Sequence, residues 1–233
     1  MSVLIPVLLF VCLAAGFVLV PLAGPWRARR RFREVAANLV ASYGFSADPK
    51  LGPEQVPWSA PPFHYGHRAA LVDPVRGAFA GLGAEVFGYT CRENGVAHGY
   101  GVAAIHLHRR LPVLEVREEP PFTSTQVYYV PAYPHRLTGV GEFDTGYRAS
   151  GPDEQSLLEL LTPGFARVMM TAPETFDLRI EGSLMVLTRR DGWTSAAALV
   201  GCCLAAVHAI APMIDLDPDQ FNAPRLIGGL GAA

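Results

Sequence analysis

The stretch GLGAEVFGYTCRENGVAHGYGVAAIHLH, residues 81–108, decides the fold. Gly83–Cys91 and Tyr100–His108 are rich in Val, Ile, Phe, Tyr and small residues, and Glu93-Asn94-Gly95 lies between them. Asn-Gly between two apolar runs is a strong hairpin signal, because both residues tolerate the positive φ of a tight antiparallel turn. Strands also dominate outward from this hairpin. Val113–Arg117, Gln126–Val130 and a short segment near Glu142–Tyr147 read as strands. Phe176, Leu178 and Ile180 alternate with Asp177, Arg179 and Glu181 as a half-buried strand, and Gly182-Ser183 turns it into Leu184–Thr188. On the other side, residues 46–81 carry Pro49, Pro53, Pro57, Pro61, Pro62 and Pro74 and read as an irregular, ordered connection giving way to strand from Val75.

Helices are fewer. Asp153 is placed to cap Glu154–Leu161, and Thr162-Pro163 starts another turn of helix with Pro at its first position. Ser195 to Ile214 runs about twenty residues without a formal charge, but it is alanine-rich and carries His208 and Pro212. It reads as a buried or half-buried helix rather than a second span, since alanine contributes little to insertion and a mid-span His opposes it. The fold class is α+β, with a largely antiparallel sheet and a few helices following an N-terminal transmembrane helix.

That anchor is legible from charge alone. The first charged side chain is Arg27, and Val3 to Leu22 is almost unbroken Val, Leu, Ile, Phe and Ala. About twenty such residues at 1.5 Å each reach about 30 Å, the depth of a bilayer's hydrocarbon. Arg27, Arg29, Arg30, Arg31 and Arg33 follow the run, whereas a secretory signal has its positive charge before a shorter one. The cluster favours the cytoplasmic side, so the expectation is a single-pass cell-membrane protein, N-terminus out and C-terminal domain in the cytoplasm. Phe32, Val35, Ala36, Leu39, Val40 and Tyr43 then recur at helical spacing. The expected organisation is an anchor at 1–25, a juxtamembrane amphipathic helix at 26–45, the α+β domain at 46–216 and a loosely held tail at 217–233.

Half of the residues are hydrophobic and 17% are charged, which speaks for a buried core. A net charge of −2 argues against nucleic acid as a partner. The four cysteines, with Cys202 and Cys203 adjacent, form no disulfide framework and fit a reducing compartment.

The order of these pieces resembles a family of uncharacterised single-span membrane proteins of actinobacteria. The residues carrying the resemblance are the apolar span with its arginines, Tyr43-Gly44-Phe45, the 61–68 stretch Pro-Pro-Phe-His-Tyr-Gly-His-Arg and Val75-Arg76-Gly77. Val86-Phe87-Gly88-Tyr89, the 142–147 stretch Glu-Phe-Asp-Thr-Gly-Tyr and Leu178-Arg179-Ile180-Glu181-Gly182 complete it. The resemblance implies the anchor and the order of the fold, and no activity. The chain departs from that family's usual Phe-Asp-Tyr strand by having Gly88 in the middle position.

Chemistry-bearing candidates are sparse. His106 and His108, two apart on a strand, share a face and with His98 offer up to three metal ligands. Arg109 and Arg110 beside them oppose a cation. His64 and His67 lie in a Pro-bounded loop, where loop-holding hydrogen bonds are the plain alternative to a ligand role. Tyr128, Tyr129 and Tyr133 form an aromatic edge of the kind that serves interfaces. The arginines from Arg27 to Arg33 set topology and can meet lipid headgroups. No nucleophile elbow, phosphate loop, dinucleotide fingerprint or zinc-protease motif occurs. The sequence implies no cofactor, and the reading leans away from an enzyme.

Two functions follow. The first is a non-enzymatic domain tethered to the bilayer through residues 3–22 that binds a protein partner or scaffolds a membrane complex. The alternative is a small-molecule or lipid binder, possibly enzymatic, with a histidine-lined cleft. The expected topology is open to a direct test: a reporter fused after Ala233 is active in the cytoplasm, and activity only outside the cell would overturn the assignment.

Overall fold

The computed structural model describes residues 28–53, 62–63, 67–93, 96–118, 133 and 135–216. The apolar run at 3–22, Arg27, His64, the Asn94-Gly95 turn, Tyr128, Tyr129, the expected strand at 126–130 and the tail from 217 lie outside these residues.

A mixed α+β architecture results, built on one antiparallel sheet. In chain order its strands are β1 (Ser46–Ala47), β2 (His67–Phe79), β3 (Leu82–Glu93), β4 (Val96–Glu118), β5 (His135–Arg136), β6 (Tyr147–Ser150) and β7 (Asp177–Arg190). The strand order is β1-β2-β3-β4-β6-β5, with β7 also paired to β4. The helices are α1 over 28–42, α2 (Gly141–Gly146), α3 (Glu154–Leu160), α4 (Pro163–Met169) and α5 (Ala196–Ile210). A 3₁₀ turn, Ala211–Met213, closes the last helix.

β4 is the spine. Its first half pairs with β3, from Val96 opposite Glu93 to Ile105 opposite Ala84. Its last four residues pair with β6, and β7 runs along its other side from Tyr100 to Val116. The two expected strands Tyr100–His108 and Val113–Arg117 are therefore one. The register between β4 and β7 slips between His106 and Leu111 and again before Leu114, so the surplus residues bulge out of β4. That bulge absorbs the bend and β7 continues through Gly182, which corrects the expectation of a hairpin at Gly182-Ser183. A second correction concerns residues 141–146, which form helix α2, with strand only from Tyr147. The Asp144 carboxylate accepts hydrogen bonds from the Thr138 and Gly139 backbone N–H groups and the Thr138 hydroxyl, at 2.8 to 3.0 Å, closing a local turn that a strand cannot make. Strand β2 begins at His67, eight residues before the expected Val75. Two bulges bend it, with Arg68 at φ 56° and Asp73 at φ 46°. Ala80 and Gly81, both at positive φ, form the two-residue turn into β3.

α1 places Phe32, Val35, Ala36 and Leu39 in the same buried core as the sheet. Burial of Phe32 and Leu39 contributes on the order of 2 kcal/mol each. The sheet is shaped to receive this helix. A Cβ at Gly88 would sit 2.9 Å from the Phe32 ring, and one at Gly101, directly opposite Gly88 on β4, would sit 2.5 Å from the Trp193 indole. Phe63 covers the other face against Phe87 and Tyr89. The helix starts at 162 and 195 are capped by side chains: Thr162 Oγ1 accepts from the Phe165 N–H and Ser195 Oγ from that of Ala198. Ala196–Met213 is the stretch among the described residues that is long and apolar enough to cross a membrane, and more than half of it is buried inside the molecule. Leu199, Cys202, Cys203, Ala206, Val207 and Ile210 are wholly buried there, and Pro173 packs against Gly201.

The glycine floor is testable by urea unfolding. Gly101→Ala should cost roughly 1–3 kcal/mol by overpacking against Trp193. Gly83→Ala, which meets open space, should stay within about 0.5 kcal/mol of wild type.

Candidate functional site

Two places combine unusual packing with charge, and the first is where α1 lands on the sheet. Ala28 stands over Gly99, and Phe32 over Gly88. The Arg29 guanidinium donates to Thr90 Oγ1 at 3.4 Å. Between helix and sheet lies a notch lined by Ala28, Arg29, Phe32, Gly88, Gly99 and Gly192 among others, with about 10 Å³ of room. That is one water's worth. Trp193 is wholly buried beside it, and its indole Nε1 has no acceptor among the described residues. The notch is a seam between packed elements, too small to admit a ligand.

The arginines that begin α1 are distributed around this seam. Arg30 pairs with Glu34 one turn on at 3.1 Å, and Arg33 with Asp73 of the β2 bulge at 3.3 Å. Both pairs are exposed and worth little individually. Arg31 is exposed.

The second place lies near the far end of β4. Glu115 is 2% exposed, although it is ionisable. Arg117 Nε donates to its Oε1 at 2.6 Å, and Arg117 Nη2 also contacts that oxygen. Arg179, its cross-strand partner on β7, approaches Oε2 at 3.9 Å and is itself held by Glu181 at 3.0 Å. A buried carboxylate persists only when charges of opposite sign face it. Close by, Asp177 Oδ1 accepts the Glu118 backbone N–H at 2.9 Å. Burial raises the Asp177 carboxyl to about 6, against the lowering effect of that hydrogen bond and of Arg117. Burial, followed by the Glu118 charge, pushes the Tyr147 phenol up to about 12. These groups clamp β4, β6 and β7 together, and no nucleophile stands among them. The two arginines and Glu115 were not singled out in the sequence. Alternation along 113–117 and 177–181 places Glu115 with Arg117, and Arg179 with Glu181, but nothing local tells which residues face one another across the strands.

The histidines are spread along the sheet. His67 is exposed at the start of β2, opposite Arg92. His98 is half-buried on β4, opposite Cys91. Two strand spacings separate the rows of His67 and His98, about 10 Å. His106 is exposed, with Nε2 3.9 Å from Glu85 Oε1, and His108 is exposed in the β4 bulge. Leu107 between them is buried, so the alternation anticipated for this pair is present. His98 and His106 lie eight residues apart on one strand, about 26 Å. The described histidines therefore do not line one cleft. Among the described residues no group of three or more His, Cys, Asp or Glu is placed to hold a metal ion. Tyr133 is half-buried. Cys91, Cys202 and Cys203 are buried thiols outside any disulfide. Burial pushes Cys202 up to about 11 and Cys203 well above its usual value, which makes both poor nucleophiles at neutral pH.

The fold has a counterpart. It is similar to the crystal structure of the mycobacterial trehalose monomycolate transport factor A, TtfA, with a TM-score of 0.53 and 13% sequence identity. The likeness covers 88% of this chain and 97% of that one. No protein-family model and no curated protein matches the chain.

The elevated Asp177 carboxyl gives a pH prediction. Its value in the folded chain, about 6, lies above the 3.8 of an unperturbed aspartate. The folded state therefore holds the proton more tightly, and this contribution to stability is complete at low pH and lost as pH rises through 6. Asp177→Asn should flatten the fall in stability between about pH 4 and pH 6 relative to wild type, read from urea midpoints across pH.

Proposed function

We propose that this chain is a membrane-tethered accessory component of a lipid-transport assembly, acting by binding a protein partner rather than by catalysis. The observation that carries the reading is the burial of α1 in the core of the sheet. The helix is described from residue 28, and five residues, 23–27, stand between it and Leu22, the end of the apolar run. A helix packed into the core keeps the whole domain, and not a loose arm of it, within a few residues of that run, as a scaffold requires. In this reading residues 1–25 anchor the chain, 26–45 carry it to the sheet, 46–216 form the body and 217–233 a loose tail, with the body in the cytoplasm.

The likeness of fold to a protein named as a trehalose monomycolate transport factor supports placement beside a membrane transporter of amphiphilic lipids, in an actinobacterial setting. A ligand-binding role is less well supported, because the seam under α1 has room for one water and the described histidines lie apart.

The test is affinity purification of the full chain through a C-terminal tag in mild detergent. A stoichiometric integral membrane protein should co-purify. Recovery of the chain alone, even after crosslinking in intact membranes, would overturn the proposal.

A further inference from the structure

The arginine cluster at residues 27–33 is conspicuous in the sequence, but the fold adds to it. α1 lies along the sheet so that its first turn sits at the end where β3 meets β4: Ala28 is over Gly99, and Arg29 bonds Thr90. Three further arginines arrive at this end from distant parts of the chain. Arg92 is the penultimate residue of β3, and Arg68 occupies the β2 bulge between His67, opposite Arg92, and Ala70, opposite Thr90. Arg190 closes β7 opposite Tyr100, where the following Asp191 N–H donates to the Gly99 carbonyl at 2.8 Å. Arg29, Arg31, Arg68, Arg92 and Arg190 thus belong to one end of the sheet in a chain whose net charge is −2, with Arg29 and Arg92 on the α1 face and Arg190, in the row of Tyr100 and Tyr89, on the other. Arg68, Arg190 and Arg31 are exposed. Val96, the first residue of β4 at this tip and opposite Glu93 in the register, is 57% exposed.

We propose that this end of the sheet is a docking face for the anionic phospholipid headgroups of the leaflet in which the chain is anchored, with Val96 at the point of contact. Charge complementarity selects the occupant. Guanidinium groups pair with phosphate in a bidentate fashion and a dispersed set of them suits a plane of headgroups. Covalent geometry supplies the distance. Five residues, 23–27, separate Leu22 from Ala28, so even fully extended the six steps between them span at most about 22 Å. The face is therefore tied within about two Debye lengths of the bilayer at 0.1 M salt, each about 10 Å, and the chain can bring it into contact. An exposed apolar residue at the tip fits the boundary between headgroups and acyl chains. The inference rests on the anchor assigned to residues 3–22 and extends it: the domain stands on the leaflet on a defined face.

The experiment uses the full chain. Carrying Cys12→Ala and Val96→Cys, the protein is labelled at position 96 with an environment-sensitive dye, the remaining cysteines being buried. It is placed in nanodiscs of phosphatidylcholine, alone or with about one third phosphatidylglycerol, containing a nitroxide-headgroup lipid. Quenching at about 0.1 M salt should be at least about threefold stronger in the anionic discs, and should fall to the neutral level at about 1 M salt. Arg68→Glu with Arg190→Glu, both exposed, should give the neutral level at either salt while near-ultraviolet circular dichroism stays native. Equal quenching in the two lipids, or no response to the double reversal, would overturn the proposal. Flotation on neutral vesicles at about 1 M salt tests the anchor separately. If the chain fails to float there, the anchor reading is lost, and flotation on anionic vesicles at low salt, abolished by the double reversal, still decides the docking face. Flotation at low salt that ignores lipid charge would count against it.

Discussion

The molecule depends on aromatic rings seated on glycines. Phe32 of α1 fills the space over Gly88, the Trp193 indole fills that over Gly101, and Phe45 that over Gly77, each where a Cβ would lie within 3 Å of the ring. Gly88 and Gly101 face one another across β3 and β4, so two neighbouring positions of the central sheet lack side chains on the face that receives α1 and Trp193. Close approach increases dispersion contacts and removes apolar surface from water, and interiors packed at this density tolerate little added volume. A side chain at position 88 would meet the Phe32 ring, which is why glycine suits that position.

That contact makes α1 part of the domain rather than an arm beside it: Phe32, Val35, Ala36 and Leu39 belong to the same buried core as the sheet. Opposite demands are met at the two ends of β4. At one end the strand underlies α1 and presents only Ala97, Gly99 and Gly101 on that face. At the other it buries Glu115 between Arg117 and Arg179, a clamp whose loss of one partner would strand a charge in the interior. The bulge between these ends lets one strand serve both halves of the sheet.

Much of the fold was legible before any coordinates. The β3–β4 pairing follows from alternation around Asn94-Gly95, the α1 stripe from Phe32 to Leu39, and the helix starts at Thr162 and Ser195 from cap chemistry. Errors clustered where a local signal met a non-local one. Gly182-Ser183 has turn composition, yet β4 offers a partner along the whole of β7, and continued pairing outweighs a turn. Residues 142–147 alternate acceptably as a strand, but the Asp144 carboxylate reaches the 138–139 backbone and closes a helix. For the candidate site, the arginines of α1 were visible because they are contiguous. Arg68, Arg92 and Arg190 were not, because only strand register brings them together. The reverse held for the histidines, whose spacing in sequence hinted at convergence that an extended strand denies to His98 and His106.

By itself, the sequence determined the class of fold, the apolar run and the arginines that follow it, because these rest on composition and on periodicities of 2 and 3.6 residues, which are local properties of the chain. Tertiary structure decided which residues share a surface: the glycine floor under α1, the buried Glu115 clamp, and the end of the sheet to which Arg68, Arg92 and Arg190 are brought. Those are matters of register and packing, set by pairings between residues tens of positions apart, and no window along the chain contains them.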